Sequence, residues 1–288
     1  MTQRTSNQAH PGWPKPDIDE AIAVLREAHG LDAAIYDETF LAKSLDKRRM
    51  ATACDTSSAY LKRLAQDHAE ADIFLRSLNI NHSALFRNPL TFALLEQLIL
   101  PALVDAKEKS AQTGIRIWSA GCAAGQEAWS IAILLEELAV AREHPIPYRI
   151  IATDVSSDAL ALARRGIYSA TEVQNTPLKH IRKYFSVRDE SYEIIPALRK
   201  HVDFSFYDLL DENSSSPAAS IYGDFDLVIC SNLLFYYRSE IRERILDKVC
   251  RALSTGGYLV TGEAERDIVA KHETLRAVMS FTAVFQKR

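Results

Sequence analysis

The feature that most constrains this chain is the alternation of short β-rich runs with helical patterns between residues 115 and 261. The β-rich runs are 115–119, 148–153, 202–206, 225–230 and 257–261. Between them, apolar residues recur at helical spacing, most clearly in a segment that ends at Leu138, in 157–165 and in 239–253. Such alternation predicts a mostly parallel, doubly wound sheet with helices on both faces.

The end of the chain narrows the fold further. The apolar run 281–285 follows 275–279 too closely for a crossover helix, so we expect it to form an antiparallel strand. A doubly wound, mostly parallel sheet closed by an antiparallel edge strand is typical of the class I methyltransferase (Rossmann-like) variant of α/β folds. It is less typical of dinucleotide-binding domains.

The first 80 residues look different, because their apolar positions recur every three or four residues without strand-type alternation. We expect a tail, a small all-α domain and the α/β domain, with boundaries at 1–16, 17–80 and 81–288. The tail has three prolines and few apolar groups, so ordering it would gain little burial. Asp17 is a plausible N-cap for the first helix.

Composition excludes several classes of function. The chain has 34 basic and 38 acidic residues, a net charge of -4, so no overall charge recruits nucleic acid or an anionic membrane. Apolar runs such as 131–135 are far shorter than the roughly 20 residues of a membrane span, and the N-terminus is polar. The four cysteines are scattered, without metal-ligand spacing. We therefore expect a cytoplasmic protein that is not inserted in a membrane and has no metal site.

A glycine turn, Gly121 to Gly125, follows the first strand of the sheet, where open α/β sheets bind ligands. The dinucleotide fingerprint GxGxxG is absent, and the second strand ends in Asp154, whose carboxylate can accept hydrogen bonds from ribose hydroxyls. A nucleoside without phosphates, such as S-adenosylmethionine, suits this pattern, and its sulfonium would favour the carboxylate of Glu127. The alternative is that the glycines only make a tight turn and that Asp154 caps the next helix.

A third element ends at the same predicted edge. The buried strand 225–230 is followed by Ser231 and Asn232, and then by an apolar segment that contains Tyr236. Amide and carboxylate groups that converge on one crevice suit a nucleoside bearing an amino acid. Tyr236 can be a core aromatic, or its hydroxyl can face the cleft.

These residues resemble the CheR-type chemotaxis receptor methyltransferases, which esterify glutamate side chains with S-adenosylmethionine and release S-adenosylhomocysteine. The resemblance extends from about residue 17 to residue 285 and depends on the order of its motifs. They are 44–50 (SLDKRRM), 81–87 (NHSALFR), 120–127 (AGCAAGQE), 152–154 (ATD), 163–168 (ARRGIY), 183–185 (KYF) and 230–237 (CSNLLFYY).

The resemblance also assigns site residues. It implies cofactor contacts for Asn81, Ser83, Arg87, Gly121, Glu127, Asp154, Asp208 and Asn232. Asp208 would lie near the adenine, where the family usually has Asn, and Asn232 near the methionine end. Arg87 and Tyr236 would lie at the reaction centre, and a short β-subdomain would be inserted near 187–199.

Several positions depart from the family pattern. Ser83 replaces Thr and keeps the hydroxyl, whereas Leu85 replaces the first of two phenylalanines. Gln126, Ala128 and Ala264 replace Glu, Pro and Ser. Ser231 replaces an Arg beside the active-site Asn, which removes a permanent cation from the cleft.

The chemistry implied by the resemblance needs no general base, because a glutamate with a pKa of about 4.3 is already ionised at neutral pH. We expect Arg87 to hold the acceptor carboxylate and Tyr236 to orient it. The alternative for Arg87 is an ion pair with Glu96 or another surface acid.

Residues 43–63 carry six basic and two acidic side chains, including Lys47, Arg48 and Arg49. This surface would suit acidic helices of a receptor or signalling protein as methyl acceptor, or it is only a solvated face. Two other functions stay open: a methyltransferase for a small-molecule or peptide carboxylate, and a non-catalytic module that binds S-adenosylmethionine.

Overall fold

The computed structural model describes residues 13–78, 83–110, 114–220 and 223–288. The chain forms two compact units. One contains Met1–Ile80 and Phe235–Arg242, and the other contains Asn81–Leu234 and Glu243–Arg288.

The first unit is helical. Its helices are α1 (Lys15–His29), α2 (Glu38–Ala51), α3 (Ser57–Gln66) and α4 (His68–Leu78). Local chemistry sets their ends: the Asp37 carboxylate accepts the N–H groups of Thr39 and Phe40 at the start of α2, and Gly30 ends α1 in the left-handed conformation. The apolar positions that predicted these helices form one buried core.

The folded part of the helical unit begins before residue 17, where the prediction placed the start of the helical domain. Trp13 is fully buried, with its ring edge-on to Tyr60 at 6.2 Å, and α1 begins at Lys15. The proline-rich composition suggested a tail up to residue 16, but the large apolar surface of one tryptophan anchors residues 13–16 to the helical core.

Two of the three predicted docking residues are occupied within the helical unit. Arg48 donates two hydrogen bonds to the Glu70 carboxylate, at 3.0 and 2.6 Å, and the Tyr60 hydroxyl donates to the same group at 2.8 Å. Arg49 pairs with Asp46 at 3.0 Å and also donates to backbone carbonyls. Both arginines are therefore paired within the helical unit, whereas Lys47 is exposed.

The second unit contains a seven-stranded sheet. Its strands along the chain are β1 (Ile115–Ala120), β2 (Tyr148–Asp154), β6 (Val202–Phe206), β7 (Phe225–Cys230), β8 (Leu253–Thr261), β9 (Leu275–Ala277) and β10 (Val284–Lys287). Their order in the sheet is β6-β2-β1-β7-β8-β10-β9, and the first five are parallel. The predicted fold class is confirmed, and the order of the strands along the sheet reverses between β1 and β7.

Nine α-helices accompany the strands in the described part of the chain after residue 83. They are α5 (Pro89–Leu94), α6 (Leu100–Lys109), α7 (Gln126–Ala141), α8 (Ser157–Arg165), α9 (Ala170–Val173), α10 (Leu178–Tyr184), α11 (Pro196–Arg199), α12 (Ser239–Ala252) and α13 (Arg266–Val269). Helix α7 is almost entirely buried along its first ten residues, which explains its continuous apolar sequence.

The C-terminal strands differ in detail from the expectation. The predicted antiparallel run 281–285 is strand 284–287, which lies second from the edge and pairs antiparallel with β8 on one side and β9 on the other. The edge strand β9 has only three residues, too few to produce a recognisable alternating pattern.

The inserted β-structure is larger than predicted. A three-stranded antiparallel sheet has the order β3-β5-β4, from β3 (Ile167–Ser169), β5 (Ser191–Ile194) and β4 (Phe185–Arg188). The predicted range 187–199 covers only its later part, because β3 lies 16 residues before β4 and joins the sheet through tertiary pairing.

The helical run 89–109 widens into a π-helical stretch at Leu95–Ile99, just before Pro101. Proline has no N–H to continue the α-helical ladder, so a wider turn avoids the clash and the lost bond. Among the described residues this run alone has the length and apolar character of a membrane span. Leu95, Ile99 and Leu103 from it belong to the core of the second unit, as expected of a core helix.

The Arg48–Glu70 pair generates a stability prediction. Arg48→Ala leaves the buried Glu70 carboxylate without its cation, so we expect the free energy of unfolding to fall by about 3 kcal/mol. Urea unfolding of the full chain, followed by circular dichroism, measures this change. Lys47→Ala, on the exposed side of the same helix, is the control and is expected to change stability by less than about 0.5 kcal/mol; equal effects of the two substitutions would contradict the structural role of Arg48.

Candidate active site

The turn after β1 brings its backbone close to two neighbouring elements. The N–H groups of Gly121 and Cys122 donate to the carbonyl of Thr153, at 2.8 and 2.9 Å. Gly125 has φ 86°, and a Cβ there would lie 2.9 Å from the Ala163 methyl and 3.0 Å from the Phe204 ring. Glycine at 125 therefore lets α7 begin directly against α8 and β6.

Asp154 organises this turn from the end of β2. Its Oδ2 accepts the N–H of Ala123 at 2.8 Å, and its Oδ1 accepts the N–H of Ser156 at 2.8 Å. Desolvation by burial nevertheless keeps the pKa of Asp154 above its usual value. A carboxylate has about four acceptor positions, so both oxygens retain capacity for ligand hydroxyls. The alternative that Asp154 caps the next helix is wrong in its detail: the N-cap of α8 is Ser156, whose hydroxyl accepts the N–H of Ala159, and Asp154 instead holds the residue before the helix.

Glu127, in the first turn of α7, is the central acidic group. Its Oε1 accepts a hydrogen bond from the Ser119 hydroxyl at 2.7 Å, and the Ser231 hydroxyl also bonds to its carboxylate. Burial raises the pKa of Glu127 to about 7, although both hydroxyls act in the opposite direction. At neutral pH this carboxyl is therefore half protonated and gains from any cation that reaches it.

Other charged groups act on Glu127 at longer range. The carboxyl of Glu265 raises the pKa of Glu127, whereas the guanidinium of Arg87 lowers it. The neighbouring thiols of Cys122 and Cys230 are buried, which raises their pKa values and keeps them neutral. Among these groups, Arg87 is the one whose positive charge stabilises the ionised form of Glu127.

The turn after β7 presents Asn232, whose backbone has φ 59°. The fully buried Glu265 fixes this turn: one oxygen accepts the N–H groups of Asn232 and Gly262, both at 2.8 Å, and the other accepts the N–H of Leu234 at 2.6 Å. No role was predicted for Glu265 from the sequence. Its position directly after the last parallel strand is the signal that could have found it.

The linker before α5 carries Ser83, which is half-buried, and Arg87, which is exposed. Asn81, also predicted to bind the cofactor, lies outside the described residues. Glu96, the alternative partner considered for Arg87, has Lys179 at 3.9 Å. The guanidinium of Arg87 lowers the pKa of Glu127.

Apolar and acidic groups lie at the carboxyl ends of β2 and β6. Asp208 is half-buried and accepts the N–H of Leu210 at 2.8 Å. Val155, directly after β2, and Phe206, which pairs with Asp154 at the end of β6, have 42% and 64% of their surface exposed. Exposed apolar side chains beside carboxylates suit a planar base attached to a ribose.

Tyr236 lies in the segment that belongs to the helical unit. Its carbonyl accepts the N–H of Asp37 at 2.8 Å, and its ring lies 4.8 Å from that of Phe40. The next residue, Tyr237, stacks on Tyr36 at 5.4 Å. The ring of Tyr236 therefore packs against another aromatic ring, as the core-aromatic alternative expected. The catalytic role of its hydroxyl stays a prediction.

Glu127, Asp154 and Asn232 lie at or just after strand ends on the carboxyl edge of the sheet, near the point between β1 and β7 where the strand order reverses. These groups fit S-adenosylmethionine. The carboxyl of Glu127 has lost part of its hydration and can bind the cationic end, the carboxylate of Asp154 can accept ribose hydroxyls, and the exposed apolar side chains beside it can contact the base. Within the described part of the chain, no group of three or more His, Cys, Asp or Glu side chains could hold a metal ion.

Comparison with known proteins gives a consistent result. Residues 81–285 match the family model described as "CheR methyltransferase, SAM binding domain". The chain is 30% identical to a chemotaxis protein methyltransferase of Listeria innocua over 256 residues, which cover 87% of this chain and 92% of that protein. It is 27% identical to one of Borreliella burgdorferi (87% and 88% covered) and 30% identical to chemotaxis protein methyltransferase 1 of Pseudomonas aeruginosa (67% and 69% covered).

The pKa of Glu127 predicts how cofactor affinity depends on pH. If the ionised carboxylate binds the cationic end of S-adenosylmethionine, affinity rises as pH increases through about 7. We expect binding to be about tenfold weaker at pH 6 than at pH 8. For the free protein the sign is the reverse: the pKa raised by folding contributes stability at low pH that is lost between about 4.5 and 7.

Isothermal titration calorimetry in buffers of different ionisation enthalpy measures both the affinity and the protons released. Glu127→Gln has no charge to titrate, so its affinity should be weak and independent of pH over this range. A parent protein with the same affinity at pH 6 and pH 8 would show that Glu127 does not bind the cation.

Proposed function

Because this chain belongs to the CheR methyltransferase family, we propose that it transfers a methyl group from S-adenosylmethionine to glutamate side chains of a chemoreceptor-like protein, forming methyl esters. The observation that carries this proposal is the half-buried Glu127 carboxyl, with a pKa of about 7, at the carboxyl edge of a sheet with this family's motifs. The cytoplasm, where the acceptor's signalling helices would be accessible, is the location that we propose.

Bound S-adenosylmethionine would supply a methyl group activated by a positively charged sulfur. The residues proposed to hold it are Glu127 and Asn232 at the methionine end, Asp154 at the ribose, and Asp208 beside the base. Asn81, Ser83 and Gly121 complete this set from the linker and the glycine turn, as the resemblance implies.

The acceptor glutamate is already ionised at neutral pH, so no residue needs to remove a proton. Catalysis then depends on orientation and on exclusion of water, which can lower the barrier by several kcal/mol. Arg87 is proposed to bind the acceptor carboxylate, because it is exposed and its charge acts on Glu127. Tyr236 is proposed to orient the same carboxylate.

The methyl acceptor is proposed to be an acidic helical segment that docks on α2. Lys43 and Lys47 lie one turn apart on this helix and are both exposed, as is Lys62 on α3. They replace Arg48 and Arg49 in the docking proposal, because those two are paired within the helical unit. An exposed row of lysines attracts acidic helices and would strengthen encounter more than final affinity.

The central experiment follows ester formation. Purified protein is incubated with methyl-labelled S-adenosylmethionine and a chemoreceptor signalling fragment, and alkali-labile label is counted. We expect label on the receptor fragment, a loss of at least about 30-fold in rate for Arg87→Ala, and a loss of about tenfold for Tyr236→Phe. Arg182→Ala, an exposed arginine on α10, is the matched control and should keep the parent rate.

The competing functions give different outcomes in the same assay. Label that appears only in small molecules of a cell extract would favour a small-carboxylate methyltransferase. Cofactor binding without label on any acid would favour a non-catalytic module, a reading that the loss of the family's Arg at Ser231 supports. Rates within threefold of the parent for both Arg87→Ala and Tyr236→Phe would remove the proposed catalytic roles.

Docking is tested by charge reversal. Lys43→Glu with Lys47→Glu is expected to lower kcat/KM for the receptor fragment about tenfold at low salt, with a smaller effect at high salt because exposed charges are screened. Lys200→Glu with Lys271→Glu changes the net charge equally at exposed positions in the other unit and serves as control. An equal loss in both double variants would mean that net charge alone attracts the acceptor.

A further inference from the structure

The residue before Arg87 has a strained backbone. Phe86 adopts φ 52°, in the left-handed region that bulky residues rarely occupy, and its side chain is 5% exposed. Such conformations persist where the surroundings enforce them, and they occur preferentially at functional sites. The direction in which the chain presents Arg87 depends on this conformation.

A single buried hydroxyl holds the strained residue. The N–H of Phe86 donates to Ser130 Oγ at 3.0 Å, and the same hydroxyl donates to the carbonyl of Gln126 at 2.7 Å. Ser130 is fully buried. The Phe86 ring packs against the rings of Phe92 and His180, at 5.2 and 5.4 Å between centroids.

A second connection fixes the preceding residue. The N–H of Leu85 donates to the backbone carbonyl of Glu172 at 3.0 Å. The Glu172 side chain accepts from Gln126 Nε2 at 2.9 Å and, with its other oxygen, from the backbone and hydroxyl of Ser169 at 2.9 Å. The linker is thus attached at two successive residues to one small network.

This network has its origin in the first two turns of α7. Gln126, Glu127 and Ser130 are four or fewer residues apart, so the helix start that carries Glu127 also holds Phe86. Glu127 and Ser130, three residues apart, lie on the same side of the helix, but their partners belong to different elements: β1 for Glu127 and the linker for Ser130. The helix therefore sets where Arg87 lies relative to Glu127.

We infer that Ser130 is a positioning residue, whose buried hydroxyl holds the linker so that the guanidinium of Arg87 lies beside Glu127 and the acceptor carboxylate. This inference depends on the proposed role of Arg87. It adds a residue that touches neither cofactor nor acceptor and that acts through Arg87 alone.

The test is a double-mutant cycle of the full-length protein with Ser130→Ala, Arg87→Ala and both together, measured as ester formation and as the pH dependence of S-adenosylmethionine affinity. Ser130→Ala should slow ester formation about tenfold. It should also move the pH midpoint of cofactor affinity upward, in the same direction as Arg87→Ala, because Glu127 loses the influence of the cation. The double variant should equal Arg87→Ala in both measurements, because no correctly placed guanidinium remains to be lost.

The outcomes separate this inference from the proposed function. Full additivity in the double variant, or an unchanged pH midpoint in Ser130→Ala, would overturn the positioning role while leaving Arg87 as a catalytic residue. A normal rate in Arg87→Ala would overturn both. Ser110→Ala removes the hydroxyl of the serine directly after α6, which also bonds to the carbonyl four residues earlier, and should change neither measurement. If Ser130→Ala folds poorly, Glu172→Ala weakens the same network from a half-buried position and should show the same pattern with a smaller amplitude.

Discussion

A carboxyl that water reaches poorly is the group on which the rest of the site depends. Burial holds the pKa of Glu127 near 7 even though two serine hydroxyls bond to it. An ionised group in this position has lost hydration that neutral hydroxyls restore only in part, so a cation recovers more free energy here than it would at the surface. A positive charge on the ligand is therefore favoured beside Glu127.

The backbone around Glu127 also shapes this crevice. Gly125 allows the start of α7 to approach α8 and β6, and the buried Glu265 gathers three N–H groups to fix the turn that carries Asn232. The sheet itself contributes no chemistry, but it brings three strand ends to one edge. Rigid strands thus place side chains from distant parts of the sequence within one crevice.

The helical unit shows why a run of basic residues is poor evidence for a binding surface. Arg48 and Lys47 are neighbours in sequence, yet one forms a bidentate pair with a buried glutamate while the other is exposed. Position on the helix decides the difference: Arg48 lies on the side that faces α4, where Glu70 has lost its water. The buried carboxylate of Glu70 needs a nearby cation, and Arg48 supplies it within the helical unit.

The sequence by itself determined the fold class, the parallel strands and the glycine turn. These features depend on the local periodicity of apolar residues and on the backbone freedom of glycine, both of which are visible in a short stretch of sequence. It also placed Glu127, Asp154 and Asn232 at strand ends. It did not find the three-residue strands β3 and β9, whose pairing depends on distant segments. Nor did it find Glu265 or Ser130 as supports for the turn and the linker.

Only the tertiary structure decided which charges are free and which carboxyl has a shifted pKa. Trp13 also shows what local sequence cannot predict. Its neighbours in sequence have the composition of a tail, but its side chain is buried in the core of the helical unit. Hydration, and with it the pKa of Glu127 or the pairing of Arg48, is set by what surrounds a group in space. Most of those neighbours are distant in sequence: Glu70 is 22 positions from Arg48, and Glu265 is 138 positions from Glu127, so local sequence patterns cannot supply them.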